Sequence, residues 1–273
     1  MDVPIRSLET QTIAPDTHVI RQLVGEGVAP VATHVNSMVI TGSEPVIVDT
    51  AASVHRDAWL EHVFAVVDPA DVRWIYLSHD DIDHTGNLLP VLDLCPDAQL
   101  VTNWFSVERM SADGALPLDR MRWVNDGESF VAGDRELVAV TPPIYDSPTT
   151  RGLFDTKSGV YWAADAFGSP VTHEVGNIAE LDPAFYREAF VGQQLMIGPW
   201  LSMVDPAKYQ AALGRLQALG ASSIASCHGV TLQGAQIDSA FELLTELPYR
   251  EQFVWPGQAE LDAMHEAMLA GAV

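Results

Sequence analysis

The stretch Ser78-His79-Asp80-Asp81-Ile82-Asp83-His84-Thr85-Gly86 places two imidazoles and three carboxylates within six residues, directly after an apolar run. The preceding Val72-Arg73-Trp74-Ile75-Tyr76-Leu77 has the β-branched and aromatic content of a buried strand, and Asn87-Leu88-Leu89-Pro90-Val91-Leu92 reads as a helix start. The cluster therefore lies on a strand-to-helix loop, where a scaffold usually carries its chemistry. On such a loop His79, Asp81 and Asp83 can converge on one side while His84 turns toward a neighbouring point. That layout suits two adjacent metal positions better than a merely solvated acidic loop.

Composition limits the partners. With 273 residues, 48% hydrophobic and 19% charged, the chain can bury a full core, and residues 1–273 read as a single metal-binding domain. A net charge of −23 with only 14 basic residues repels phosphate backbones and anionic membranes, so neither nucleic acid nor a membrane is expected as a partner. The N-terminus lacks a basic segment followed by an apolar run, and no apolar stretch is long enough to span a bilayer. Two cysteines, Cys95 and Cys227, are too few for a disulfide framework. Together these features predict a cytoplasmic protein.

The chain opens with strands over 17–24, 36–42 and 46–50, followed by an amphipathic helix over 53–67 that stops at Asp68-Pro69. Beyond the acidic loop come a helix over 85–94, a strand near 99–101, a helix over 106–111, and strands over 122–124, 129–131 and 136–141 that read as a β-meander. A hairpin turning at Lys157-Ser158-Gly159 feeds Asp165 at its end. Asp182-Pro183 and Asp205-Pro206 each pair an N-cap with proline at the first helical position, opening helices that end near Pro199 and Gly220. A strand over 222–227 delivers His228-Gly229, and helices over 236–247 and 258–270 finish the chain.

These residues carry a resemblance. His79-x-Asp81-x-Asp83-His84, Asp165 within Ala164-Asp165-Ala166-Phe167-Gly168, and His228 within Ser226-Cys227-His228-Gly229 resemble the metallo-β-lactamase superfamily, specifically the diiron core of flavodiiron and oxygen-binding proteins. The likeness spans nearly the whole chain and implies an α/β (α+β) fold, a four-layer αββα sandwich with a binuclear site along one edge of the sheets. Carried over residue by residue, one metal takes His79 and Asp81, the other takes Asp83, His228 and His84, and Asp165 bridges them. Asp81 and Asp83 are the candidate catalytic carboxylates. Two departures stand out: the branch has glutamate where this chain has Asp81, and histidine three residues before an Asp-Ser pair. Aligned on Asp146-Ser147, that histidine position holds Pro143, which leaves the first metal position open, water-filled, weakly occupied, or served by a substitute such as Asp146, Tyr145 or His173.

The ligand set of imidazoles and carboxylates without thiolate suits iron, two ions or one if the first position is incomplete, with zinc or manganese as alternatives. The resemblance implies an oxidoreductase that binds or reduces a diatomic gas, O2 or NO. No flavodoxin module follows the metal domain, so an electron donor in trans is expected, together with a homodimer. Two other readings stay open: a zinc-dependent hydrolase of a small-molecule ester, lactone or thioester in which Asp81 or Asp83 orients the water, and a non-catalytic oxygen sensor. His34, His55, His62 and His265 read as packed or surface histidines, with His34 on a loop that could reach the cleft. Period-two alternation turns Cys227 away from His228 and makes it a small buried hydrophobe. Trp162, Trp200 and Tyr145 are candidates to line the cleft.

Overall fold

Alternation along the strands decides the layering. In Val160-Tyr161-Trp162, Val160 and Trp162 join a large apolar cluster on one side while Tyr161 turns into a second cluster on the other. Ile224 and Ala225 divide in the same way. The sheet that carries them is thus buried on both faces. The computed structural model describes residues 4–112, 114 and 116–269.

Seven strands form one sheet, in spatial order Met121–Trp123, Gln99–Thr102, Trp74–Tyr76, Val46–Val48, Ser37–Ile40, Thr17–Ile20 and Gln11–Ala14. Six form the other: Ser129–Ala132, Arg135–Val140, Gly152–Asp155, Val160–Trp162, Ser223–Ala225 and Leu232–Gln233. Ile20, Met38 and Ile47 of the first share one apolar cluster with Phe130, Leu137 and Trp162 of the second. Trp59 and Val63 of helix Arg56–Phe64 and Val91 and Leu92 of helix Leu88–Leu94 join it from the outside of the first sheet. Phe190, Leu213 and Phe241, from helices Pro183–Ile197, Pro206–Gln217 and Ala235–Glu246, cover the outside of the second. The order is helix, sheet, sheet, helix, the four-layer sandwich expected from the sequence.

The capping signals are realised as read. Asp182 accepts from the Phe185 amide at 2.9 Å, and Asp205 accepts from those of Ala207 and Lys208 at 2.9 and 3.1 Å. Gly152–Asp155 and Val160–Trp162 pair antiparallel as the predicted hairpin.

Three expectations fail. Residues 17–24 make two strands, and the second, Gln22–Val24, leaves for a small sheet with Ile5–Ser7 and Thr33–His34. The meander begins one strand late, because Met121–Trp123 pairs in parallel with Gln99–Thr102 in the first sheet. Asn125-Asp126-Gly127 is therefore a crossing between sheets rather than a hairpin turn. The last helix, Gln258–Leu269, read as an amphipathic element, leaves Leu261 and Met264 exposed to solvent. Residue 270, the end of the expected helix, lies outside the described residues. Among the described residues no helix is long and apolar enough to cross a membrane.

Candidate metal centre

The segments that carry the candidate ligands begin just past the ends of strands. Asp49 follows Val46–Val48, His79 lies three residues beyond Trp74–Tyr76, Asp165 three beyond Val160–Trp162, and His228 three beyond Ser223–Ala225. The first two strands run parallel to each other, and so do the last two, so each pair sends its loops out at one end. The backbone is strained there: among the described residues the non-glycine residues with positive φ are Asp49, Ala51, Ala164 and Phe167, at 59°, 52°, 53° and 63°. Glycine permits the closest approaches. A Cβ on Gly86 would lie 2.3 Å from the Ser53 nitrogen, so the acidic loop can lie on the Ala51–Ser53 turn only with glycine at that position.

The structure brings all six predicted residues together. Asp165 divides its carboxylate between two groups. Its Oδ2 lies 3.5 Å from His79 Nε2, and its Oδ1 lies 2.9 Å from His84 Nε2 and 3.3 Å from His228 Nε2. On the first side Asp81 comes within 3.7 Å of His79 Nε2. On the second, Asp83 Oδ2 lies 3.2 Å from His228 Nε2 and 3.7 Å from His84 Nε2. His79, His84 and Asp165 are buried, while Asp81 and Asp83 reach the surface, so the centre is closed toward the sheets and open along the acidic loop.

Each imidazole is oriented by its other nitrogen. His84 Nδ1 donates to Asp49 Oδ2 at 2.9 Å, His228 Nδ1 donates to the His34 carbonyl at 2.9 Å, and His79 Nδ1 lies 3.1 Å from Ser78 Oγ. All three Nε2 atoms thus turn inward, the arrangement that outer partners impose on metal-ligating histidines. Asp49 is central to it. Fully buried, it also accepts from the Ser78 amide and hydroxyl, both at 2.7 Å, and from Trp162 Nε1 at 2.8 Å. His34 therefore serves the centre through its carbonyl, and Trp162 lies beneath it rather than lining a cleft.

Burial disfavours charge throughout the group, but mutual attraction prevails. His228, His84 and His79 hold the Asp165 carboxyl well below the ordinary carboxylate range. Cys227, Asp165 and Asp49 raise His84 well above 6.5, and Cys227, Asp165 and Asp83 raise His228 likewise. Against the same burial penalty, the hydrogen bond with His228 leaves Asp83 at about 2. His79 Nε2, His84 Nε2 and Asp165 Oδ1 are buried without a hydrogen-bond partner. Buried polar atoms are seldom left so, and a cation set between them would satisfy all three, so these residues fit a metal centre.

Two residues were misplaced by sequence reasoning. Pro143 does not face the centre; it lines a cavity of about 650 Å³ with Tyr145, Trp200 and Tyr209. Asp146 instead stands with His79 and Asp81, its carboxyl within 4.8 Å of their ligand atoms, and burial and the Asp165 charge push it up to about 6. The loop from Thr141 to Asp146 is irregular, so counting back three residues did not preserve direction. Tyr145 packs against Trp200 with ring centroids 5.0 Å apart and planes tilted by 39°, and His173 lies at the surface. Cys227 does not turn away either. Its Sγ lies within 4.8 Å of the ligand atoms of Asp83, His84 and His228, because the strand ends at Ala225 and residues 227–228 form a turn that breaks the alternation. Asp49 was not anticipated at all; its only signal was a carboxylate closing the run Val46-Ile47-Val48.

The family model "ODP family beta lactamase" matches residues 33–210, well over half of the chain. The chain belongs to the ODP beta-lactamase family. A curated relative, diflavin flavoprotein A 1 of Synechocystis sp. (strain ATCC 27184 / PCC 6803 / Kazusa), is 24% identical over 243 residues, which cover 83% of this chain and 40% of that protein. The anaerobic nitric oxide reductase flavorubredoxin of Salmonella typhi is 24% identical over 134 residues, 49% of this chain and 28% of the relative. The ODP chain thus spans less than half the length of these relatives. Rubredoxin oxygen:oxidoreductase of Desulfovibrio gigas superposes with a TM-score of 0.77 at 17% identity, covering 89% of this chain and 62% of that one, a likeness of fold.

Proposed function

We propose that this ODP-family chain holds two iron ions and binds or reduces O2 or NO with electrons from a separate donor. The observation that carries the reading is the division of Asp165, one oxygen toward His79 and the other toward His84 and His228. His79, Asp81, Asp146 and Asp165 would hold the first ion, and Asp83, His84, His228 and Asp165 the second. Four carboxylates then balance two divalent cations at a site buried on the sheet side and open to solvent along the acidic loop. Iron bound there supplies the electrons and the open coordination positions that a diatomic ligand needs.

The chain's own residues do the rest. Asp49 and the His34 carbonyl fix the tautomers of His84 and His228, leaving each Nε2 lone pair for the ion. The apolar cluster around Tyr76 and Trp162 excludes water from the sheet side. A small ligand enters along the open edge at Asp81 and Asp146, which both reach solvent. Its relatives and structural neighbours include a diflavin flavoprotein, a nitric oxide reductase and an oxygen oxidoreductase, which supports redox chemistry over zinc-dependent hydrolysis. The test is anaerobic purification with elemental analysis. About two irons per chain and an absorbance change on adding O2 or NO are expected; zinc alone with an unchanged spectrum overturns the reading.

A further inference from the structure

We infer that Cys227 supplies a thiolate to the second metal position, beside Asp83, His84, His228 and one oxygen of Asp165. The inference rests on the proposed binuclear centre and deepens it, since it makes the two positions chemically unlike.

Geometry is the first ground. The Cys227 Sγ and the ligand atoms of Asp83, His84 and His228 all lie within 4.8 Å of one another, a spread that one ion with metal–ligand bonds of about 2.0–2.3 Å can span. Unpaired neighbours are the second. His84 Nε2 and Asp165 Oδ1 belong to buried side chains, lack hydrogen-bond partners and point into the same space. The thiol therefore stands beside atoms that call for a cation.

The backbone that carries the sulfur is held on both sides. The Cys227 amide donates to the Ala164 carbonyl at 2.8 Å, and its carbonyl accepts from the Asn36 amide at 2.9 Å. Asn36 also grips both flanks through its side chain, donating to the Ser226 carbonyl at 3.0 Å and the Gly229 carbonyl at 2.9 Å. Cys95 is the internal control. It too is buried, but it closes helix Leu88–Leu94 within the apolar cluster, and burial pushes its thiol up to about 11. Only Cys227 shares space with imidazoles and carboxylates.

Ligation breaks the S–H bond and forms a sulfur–metal bond, with the proton released to solvent and no change of oxidation state. The first position, with one imidazole and three carboxylates, is hard; the second, with two imidazoles, two carboxylates and a thiolate, is softer. Iron, zinc and cobalt suit both, whereas manganese suits the first alone.

Cobalt(II) reconstitution of the metal-free full chain tests this, with metal content measured separately by elemental analysis. Wild type and Cys95→Ser should each take up about two ions and show a sulfur-to-cobalt charge-transfer band in the near ultraviolet. Cys227→Ser should lose that band, release about one proton fewer per chain on loading, and hold the second ion about 10-fold or more weakly. Two bound ions without the band in wild type, or a band that survives in Cys227→Ser, overturns the thiolate while the centre stands. Failure of wild type to bind either ion overturns the centre and the thiolate with it. The wild-type and Cys95→Ser spectra decide the matter even where Cys227→Ser does not fold.

Discussion

Asp165 presents one oxygen to each side of the centre, so its removal should act on both. Asp165→Ala is expected to lose both ions, whereas His228→Ala should empty mainly the second position. Elemental analysis after reconstitution checks this, and retention of a full complement in Asp165→Ala would refute the bridge. The loop before it gives a second contrast. Asp146→Ala should lower occupancy of the first position, because its carboxyl stands beside His79 and Asp81. Pro143→His should leave metal content unchanged, because residue 143 faces the 650 Å³ cavity. A gain of metal in Pro143→His would mean that the loop runs as the sequence alignment had it. Loading of every variant should weaken as pH falls, since the ligand imidazoles must lose protons to bind an ion.

Between elements, Arg135 is the tie that matters most. From the second sheet, its fully buried guanidinium meets Asp155 of the neighbouring strand at 2.5 Å and also Asp16, which turns the chain between the Gln11–Ala14 and Thr17–Ile20 strands of the first. Burying such a charge is costly, and the arrangement holds only while every partner is present. Arg135→Leu should therefore destabilise the fold by about 3–5 kcal/mol by leaving Asp155 buried and unpaired, read as a shift in the urea midpoint. A loss within about 0.5 kcal/mol, as for an ordinary surface change, would show that the sheets do not depend on it. Nothing in the sequence marked this arginine. Charge partners separated by 20 and 119 positions leave no local pattern, unlike the caps at Asp182 and Asp205, whose partners lie two or three residues away.

Across the whole molecule, acid should unfold the chain partly through His55. This buried histidine lies 2.8 Å from Gln22 Oε1, and burial lowers its pKa below 6.5. Folding thus favours its neutral form, so its contribution is complete above pH 6.5 and is lost as pH falls through that value toward the depressed folded one. His55→Asn should flatten that part of the stability profile in urea titrations at stepped pH, and an unchanged slope would exclude His55 as the cause. The sequence alone determined what depends on neighbours along the chain: the strand and helix periods, the capping residues, the hairpin turn and the dense ligand run from His79 to His84. The four layers followed from the family resemblance of the ligand motifs, and the structure shows their physical reason, a sheet apolar on both faces that must be covered twice. Only the tertiary structure decided what depends on strand ends meeting in space. It placed Asp49 beneath the histidines, brought Asp146 in where Pro143 was expected, and turned Cys227 inward. Loops past a strand end carry no period, and the direction of their side chains is set by the packing of remote segments against one another.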